Sequence, residues 1–297
     1  VKELVSPKQL AQAISVSESS LKRWCDKGVI PAVYTAGGHR RIPVNGVLSY
    51  LREQGLEIQH PEILGLPPAT TGGQARKISS EQARLLSAMV SGNEEVCIEI
   101  VFNLYLGNCP VSAICDEVLA ETFHEIGDRW GCGDVAVYQE RRACELCLRI
   151  IHELRRALPE LPASAPIAIG GTLDGDPYTL ASSMSELVLR DTGWNATSMG
   201  NMLPFASMRQ ALRDTGASFL WISVSSIRDK EEFLTEFEEL SNLAFELNAT
   251  LAVGGKALVE EIRKEMKYSA FCDNFRHLQT VAEQSLKKFS SNQTEEQ

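Results

Sequence analysis

The chain has 297 residues, 44% of them apolar, 23% charged and 7% aromatic, with a formal net charge of -10. That length suits two or three globular units whose cores the apolar fraction can fill, which excludes wholesale disorder and collagen-like repeats. No apolar run approaches the ~20 residues of a membrane span and the Val-Lys-Glu start lacks a signal-peptide pattern, so a soluble, cytoplasmic protein with no membrane partner is expected.

Residues 1–54 carry eight basic side chains against four acidic ones, a balance of +4 that leaves -14 for the rest. A phosphate backbone is attracted by such a head and repelled by such a bulk, so only the head is expected to dock on double-stranded DNA. Ser6-Pro7-Lys8 opens a short helix with a capping serine and a proline at its first position, and a second helix begins near Ser17 and runs through Trp24. Joined by Ile14-Ser15-Val16, the two make a helix-turn-helix that puts Ser19, Ser20, Lys22 and Arg23 near bases and phosphates, with Trp24 in the core. From Tyr34 to Ile42 a glycine turn delivers His39, Arg40 and Arg41 in a row, which suits a wing gripping the sugar-phosphate backbone.

A DNA-binding unit over residues 1–55 is followed by a breaker-rich stretch, 56–77, that reads as a linker. Apolar residues then recur at helical spacing near 79–91, 93–107, 110–129 and 134–158, with glycine-containing breaks between them, predicting an antiparallel four-helix bundle over 78–160. Beyond it, strands are expected at Ile167–Gly171, Asn195–Met199, Phe219–Val224, Thr250–Val253 and Ala270–Cys272. Helices follow near 177–191, 204–215, 229–247, 256–266 and 274–288. Five such units over 161–289 imply a parallel, doubly wound, flavodoxin-like sheet with its ligand site beyond the strands' C-terminal ends. The polar stretch 290–297 reads as a frayed tail.

Eight cysteines in a chain without secretory features read as reduced, mostly buried thiols, and Cys144 and Cys147 have no second ligand pair at zinc spacing. His124, Glu125 and Asp128 read as a polar helix face, so no metal site is expected. The other histidines are scattered, and no nucleophile elbow or phosphate loop is present, so no enzyme is expected.

The stretch 3–54, above all Thr35-Ala-Gly-Gly-His-Arg-Arg-Ile, resembles the winged helix-turn-helix of the MerR family, which implies that residues from Ser17 to Ser20 sit over base edges and that Lys22, Arg23, Arg40 and Arg41 contact phosphate. The order of head, bundle and α/β module is similar to that family's cobalamin-dependent, light-responsive repressors, and the last two modules resemble those of methionine synthase and corrinoid proteins. The α/β marks are Gly175-Asp176-Pro177-Tyr178-Thr179-Leu180-Ala181, Gly200-Asn201-Met202-Leu203-Pro204, Ser223-Val224-Ser225 and Gly254-Gly255, all at strand ends. The resemblance implies that Asp176, Ser223, Ser225, Gly254 and Gly255 line a slot between sheet and helices for a ligand tail.

The family's Asp-x-His-x-x-Gly, whose histidine ligates cobalt, reads here with Tyr178 for the histidine and Ala181 for the glycine. A phenol is a poor substitute for an imidazole lone pair. In the bundle the family's Trp, nine residues, Glu-His over the corrin becomes Trp130, nine residues, Glu140-Arg141, and Gly131 stands where some members carry a second histidine. Three readings follow: a regulator binding cobalamin with its own base on cobalt, a regulator whose pocket takes another small molecule or none, and a corrinoid carrier of a methyltransferase. The residues favour the second. The resemblance further implies a homo-dimer or tetramer on a DNA operator, with oligomerisation setting affinity.

Overall fold

A computed structural model describes residues 1–73 and 77–295, with side chains through Ser291. It divides into two compact units, Val1–Glu160 and Leu161–Gln297.

The first unit opens with β1 (Leu4–Val5), α1 (Pro7–Ala13), α2 (Glu18–Asp26), β2 (Val33–Tyr34), β3 (Arg40–Pro43) and α3 (Val44–Gln54). The sheet order is β1-β3-β2, antiparallel throughout, with Val5 opposite Ile42 and Tyr34 opposite Arg40. The expected start signals are used: Ser6 and Gln9 form a reciprocal capping box on α1, with Pro7 at its first position, and Ser17 caps α2. Leu10, Leu21, Ile30, Ile42, Leu48 and Leu51 close a small core. Trp24 is only half-buried, leaning on Tyr50 with ring centroids 5.7 Å apart.

The stretch read as a linker is ordered where it is described; Gln74–Arg76 lie outside the described residues. Ile58, Leu64 and Leu66 are buried, and a short 3-10 turn spans Pro61–Leu64. The amides of Gln59 and His60 donate to Ala13 O at 2.9 and 3.0 Å, and those of Thr71 and Gly72 donate to Asn103 Oδ1 at 2.9 and 3.1 Å. The physical reason is backbone accounting: this segment's N–H groups find carbonyls on the head and an amide on the bundle, so it is a strap between them.

The helices that follow are α4 (Ile78–Ser91), α5 (Glu94–Leu106), α6 (Val111–Ala113), a π-helical stretch Ile114–Ala120, α7 (Glu121–Gly131) and α8 (Val137–Ala157). All four expected helical stretches are present, but the third changes its hydrogen-bond register in mid-course, which apolar spacing does not reveal. Helix α3 of the head packs on α5 and α8. Arg52 on α3 donates from Nη2 to Cys109 O at 3.1 Å and lies 4.3 Å from the Tyr105 ring centroid.

The second unit is a five-stranded parallel sheet of β4 (Ile167–Gly171), β5 (Asn195–Ser198), β6 (Phe219–Ser223), β7 (Thr250–Gly254) and β8 (Ala270–Phe271), in the order β5-β4-β6-β7-β8. This is the flavodoxin-like order, with its switch point between β4 and β6. Helices α9 (Leu180–Asp191) and α13 (Phe275–Glu295) pack together along it, while α10 (Phe205–Thr215) and α11 (Lys230–Glu246) pair elsewhere on it; α12 (Glu260–Arg263) is a single turn. The helix expected over 256–266 is therefore much shorter, because the turn after Gly254-Gly255 takes up residues 256–259 and the helical turn ends at Arg263. The helix expected from 177 begins only at Leu180, since Asp176 holds the preceding loop. The tail read as frayed from Ser290 continues as helix to Glu295, and residues 296–297 lie outside the described residues.

Ile169, Leu220, Ile222, Leu251 and Val253 meet Phe205, Met208, Leu212, Phe233, Phe237 and Leu240 in one core cluster. Trp194 and Trp221, both nearly inaccessible, carry polar handles: the Trp194 indole donates to Ala282 O at 3.1 Å and that of Trp221 to Ser182 Oγ at 3.1 Å.

Candidate functional site

The first candidate surface is the head. Ser17 Oγ accepts the Ser20 amide at 3.0 Å and lies 2.9 and 2.8 Å from the Ser19 and Ser20 hydroxyls, so three polar groups gather at the exposed N-terminus of α2. One turn on, Lys22 pairs with Glu18 at 3.0 Å, with both side chains about half exposed, and Arg23 is exposed. A β2–β3 hairpin forms the wing. Its turn is closed by Thr35 and His39 and uses Gly38 at φ +75°, leaving His39 exposed at the tip and Arg41 half-buried beside it.

Arg40 is placed differently. Its side chain is 19% exposed, and its guanidinium donates to Tyr34 Oη at 2.7 and 3.2 Å, to Asp26 Oδ1 at 2.6 Å and to Lys22 O at 3.2 Å. Donation to the Tyr34 phenol oxygen and to the Asp26 carboxylate holds Arg40 firmly in its charged form. Tyr34, itself 62% exposed, is thus tied to the same group.

In the bundle, Trp130 near the end of α7 is 54% exposed, and Glu140 and Arg141 open α8. Arg141 projects to solvent within 3.4 Å of Glu140, whose carboxylate also accepts from Cys144 Sγ at 3.4 Å. Val137 and Tyr138 are exposed beside them, an apolar patch that helical spacing did not single out. Burial pushes the Cys97 and Cys144 thiols up to about 12 and that of Cys147 higher still, whereas Cys132 is exposed. His124 reaches only Glu121, at 3.7 Å, and no group of three His, Cys, Asp or Glu side chains among the described residues could hold a metal ion.

At the strand ends of the second unit, Asp176 is 1% exposed and organises the loops. Its carboxylate accepts from the amides of Ser225 at 2.5 Å, Ser226 at 3.4 Å and Tyr178 at 3.1 Å. Thr172 Oγ1 donates to Asp176 O at 2.6 Å and accepts the Met202 amide at 3.1 Å, so three loops are joined. Tyr178 stands 51% exposed with Lys256 Nζ 5.3 Å from its ring centroid. Gly254 abuts Cys272 O, which a Cβ would approach to 2.8 Å, and Gly255 lies against Val224 O. Ser223 is buried and Ser225 half-buried.

Sequence reasoning did not identify Trp221 as part of this site. It pairs with Gly170 across β4 and β6, and a Cβ on Gly170 would overlap its indole and carbonyl. The ring therefore occupies the space over Gly170, bonded to Ser182 on α9, with Ser198 Oγ 3.5 Å beyond. Alternation along β6 puts Ser223 on the same face as Trp221. A separate groove of about 410 Å³ lies by the switch point, lined by Asp174, Gly175, Met202, Phe205, Arg228 and Phe233 among others.

Two domain models match the chain, a helix-turn-helix domain over residues 4–55 and a B12 binding domain over 81–155. The chain is 23% identical over 218 residues to the HTH-type transcriptional repressor CarH of Myxococcus xanthus, covering 68% of this chain and 71% of that protein. The monomethylamine corrinoid protein of Methanosarcina barkeri superposes with a TM-score of 0.58 at 15% identity, over 70% of this chain and 99% of its own, which bears on the fold alone. The chain is thus similar to CarH-like, cobalamin-related transcriptional regulators. Among the described residues no helix is long and apolar enough to cross a membrane.

Proposed function

We propose that the protein is a non-enzymatic, MerR-type regulator that reads an operator with its winged head and governs operator binding through self-association of the remaining modules. In this reading its corrinoid-type α/β module is closed to the corrin. The observation that carries the last point is Trp221. The slot implied by the family resemblance runs between sheet and helices past Ser223 and Gly254, and the Trp221 indole fills that side of the sheet over Gly170. Tyr178, standing where the family has its cobalt ligand, offers a phenol already faced by the Lys256 ammonium.

The residues present therefore do not fit a histidine-ligated corrinoid, and an indole in the tail slot also disfavours cobalamin with its own base on cobalt. A small molecule other than a corrinoid would find room in the groove beside Asp174 and Arg228, at the switch point where open α/β sheets bind ligands. On the head, Ser17, Ser19, Ser20, Lys22, Arg23, His39 and Arg41 form the DNA-facing set. Two measurements test the proposal. Protein incubated with adenosyl-, methyl- and hydroxocobalamin and desalted is expected to be colourless, and a mixed-sequence duplex is expected to be retained at low salt and released as salt rises. A retained corrin band ends the closed-site reading, and no retardation of DNA at low salt ends the DNA-binding one.

A further inference from the structure

The geometry points to Arg40 as a positioning residue for DNA binding, a clamp that locks the wing onto the recognition helix rather than a phosphate contact; this rests on the DNA-binding reading above. The guanidinium has five N–H donors in a rigid fork. In this head all three guanidinium nitrogens donate inward, to the phenol of Tyr34 on the neighbouring strand, the carboxylate of Asp26 at the end of α2 and the carbonyl of Lys22 within it. Tyr34 and Arg40 are register partners in the hairpin, and the arginine carbon also lies 5.5 Å from the Tyr34 ring centroid. A single side chain thus joins both strands of the wing to the helix that would enter the major groove. Because Asp26 neutralises it, Arg40 adds little net attraction for a phosphate backbone, and the cationic pull of the wing falls to Arg41.

The clamp makes a prediction opposite in sign to electrostatics. Asp26→Asn removes a negative charge beside DNA and frees Arg40, so a phosphate-contact role for Arg40 makes this variant bind tighter. If Arg40 positions the wing, Asp26→Asn binds weaker, by about five-fold for the loss of one exposed ion pair. Arg40→Lys keeps the charge but cannot span all three partners, so it falls close to Arg40→Ala. Tyr34→Phe, which removes one phenolic oxygen and leaves the fold intact, weakens binding by a smaller factor. The assay is a salt titration of the full chain on a mixed-sequence duplex, with thermal midpoints of each variant recorded alongside.

Weaker binding by Asp26→Asn and Arg40→Lys, with the double variant Asp26→Asn/Arg40→Ala no worse than Arg40→Ala alone, supports the clamp. Tighter binding by Asp26→Asn, or Arg40→Lys retaining wild-type affinity, overturns it while leaving the DNA-binding reading intact. Wild-type protein that binds no duplex at low salt overturns both.

Discussion

Removing the indole of Trp221 should expose what it conceals. Trp221 is 2% exposed, and truncation of a buried tryptophan to alanine costs about 3–5 kcal/mol, through lost transfer energy and the cavity left behind. Its hydrogen bond to Ser182 goes as well, so Trp221→Ala should sit near the middle of that range, at about 4 kcal/mol. For a unit the size of residues 161–297 that lowers the thermal midpoint by roughly 15 °C. Adding Tyr178→His and Ala181→Gly supplies an imidazole in the loop after β4 and removes a methyl group in the first turn of α9. The triple variant with hydroxocobalamin at about a hundred times its dissociation constant should then regain about 2.7 kcal/mol, roughly two-thirds of the loss, and keep a corrin band after desalting. Circular-dichroism melts with and without the corrinoid, together with the visible spectrum, measure both effects. A folded triple variant that stays colourless and unshifted, or a Trp221→Ala midpoint within a degree or two of wild type, would refute the idea that the indole closes a latent site.

Three further outcomes are expected. Lys22→Ala and Arg41→Ala should each reduce the slope of log affinity against log salt by about one on a mixed-sequence duplex, as expected for the loss of one phosphate contact. Arg52→Ala should destabilise the first unit by about 2 kcal/mol in urea unfolding, because both the bond to Cys109 O and the stacking on Tyr105 are lost. Iodoacetamide at pH 8 should label Cys132 first, as read by intact mass. Thiols raised from 9.0 to about 12 stay protonated and unreactive there, so Cys97, Cys144 and Cys272 should react only when the pH approaches 12 or the protein unfolds.

What the sequence made legible was local chemistry. Ser6-Pro7 and Ser17 announce helix starts through side-chain caps, and β-rich runs such as Phe219–Val224 announce buried parallel strands; the structure has both caps, and a strand that stops one residue earlier, at Ser223. The chain's resemblance to corrinoid modules led to the loops around Asp176, Ser225 and Gly255. What stayed hidden depends on partners far away in sequence. Trp221 in a strand reads as ordinary core until the β4–β6 register puts Gly170 beneath it. Arg40 reads as a DNA-facing cation until folding brings Asp26 and the Lys22 carbonyl to it. The 57–73 strap has the breakers of a tether, and the groups that hold it, among them Asn103, Ala13 and Lys2, come from distant parts of the chain. The π-helical register of 114–120 is equally silent in the pattern of apolar residues.

The strap, with Arg52 wedged on Tyr105, ties the head to its bundle at several points. A reader on a slack leash accepts half-sites at many separations, because the leash absorbs the difference; one bolted to its bundle accepts a single spacing. If the self-association proposed above pairs two bundles, it also dictates the distance, counted in base pairs, between two recognition helices. Inserting half a helical turn of spacer between the half-sites would put them out of reach on opposite sides of the duplex.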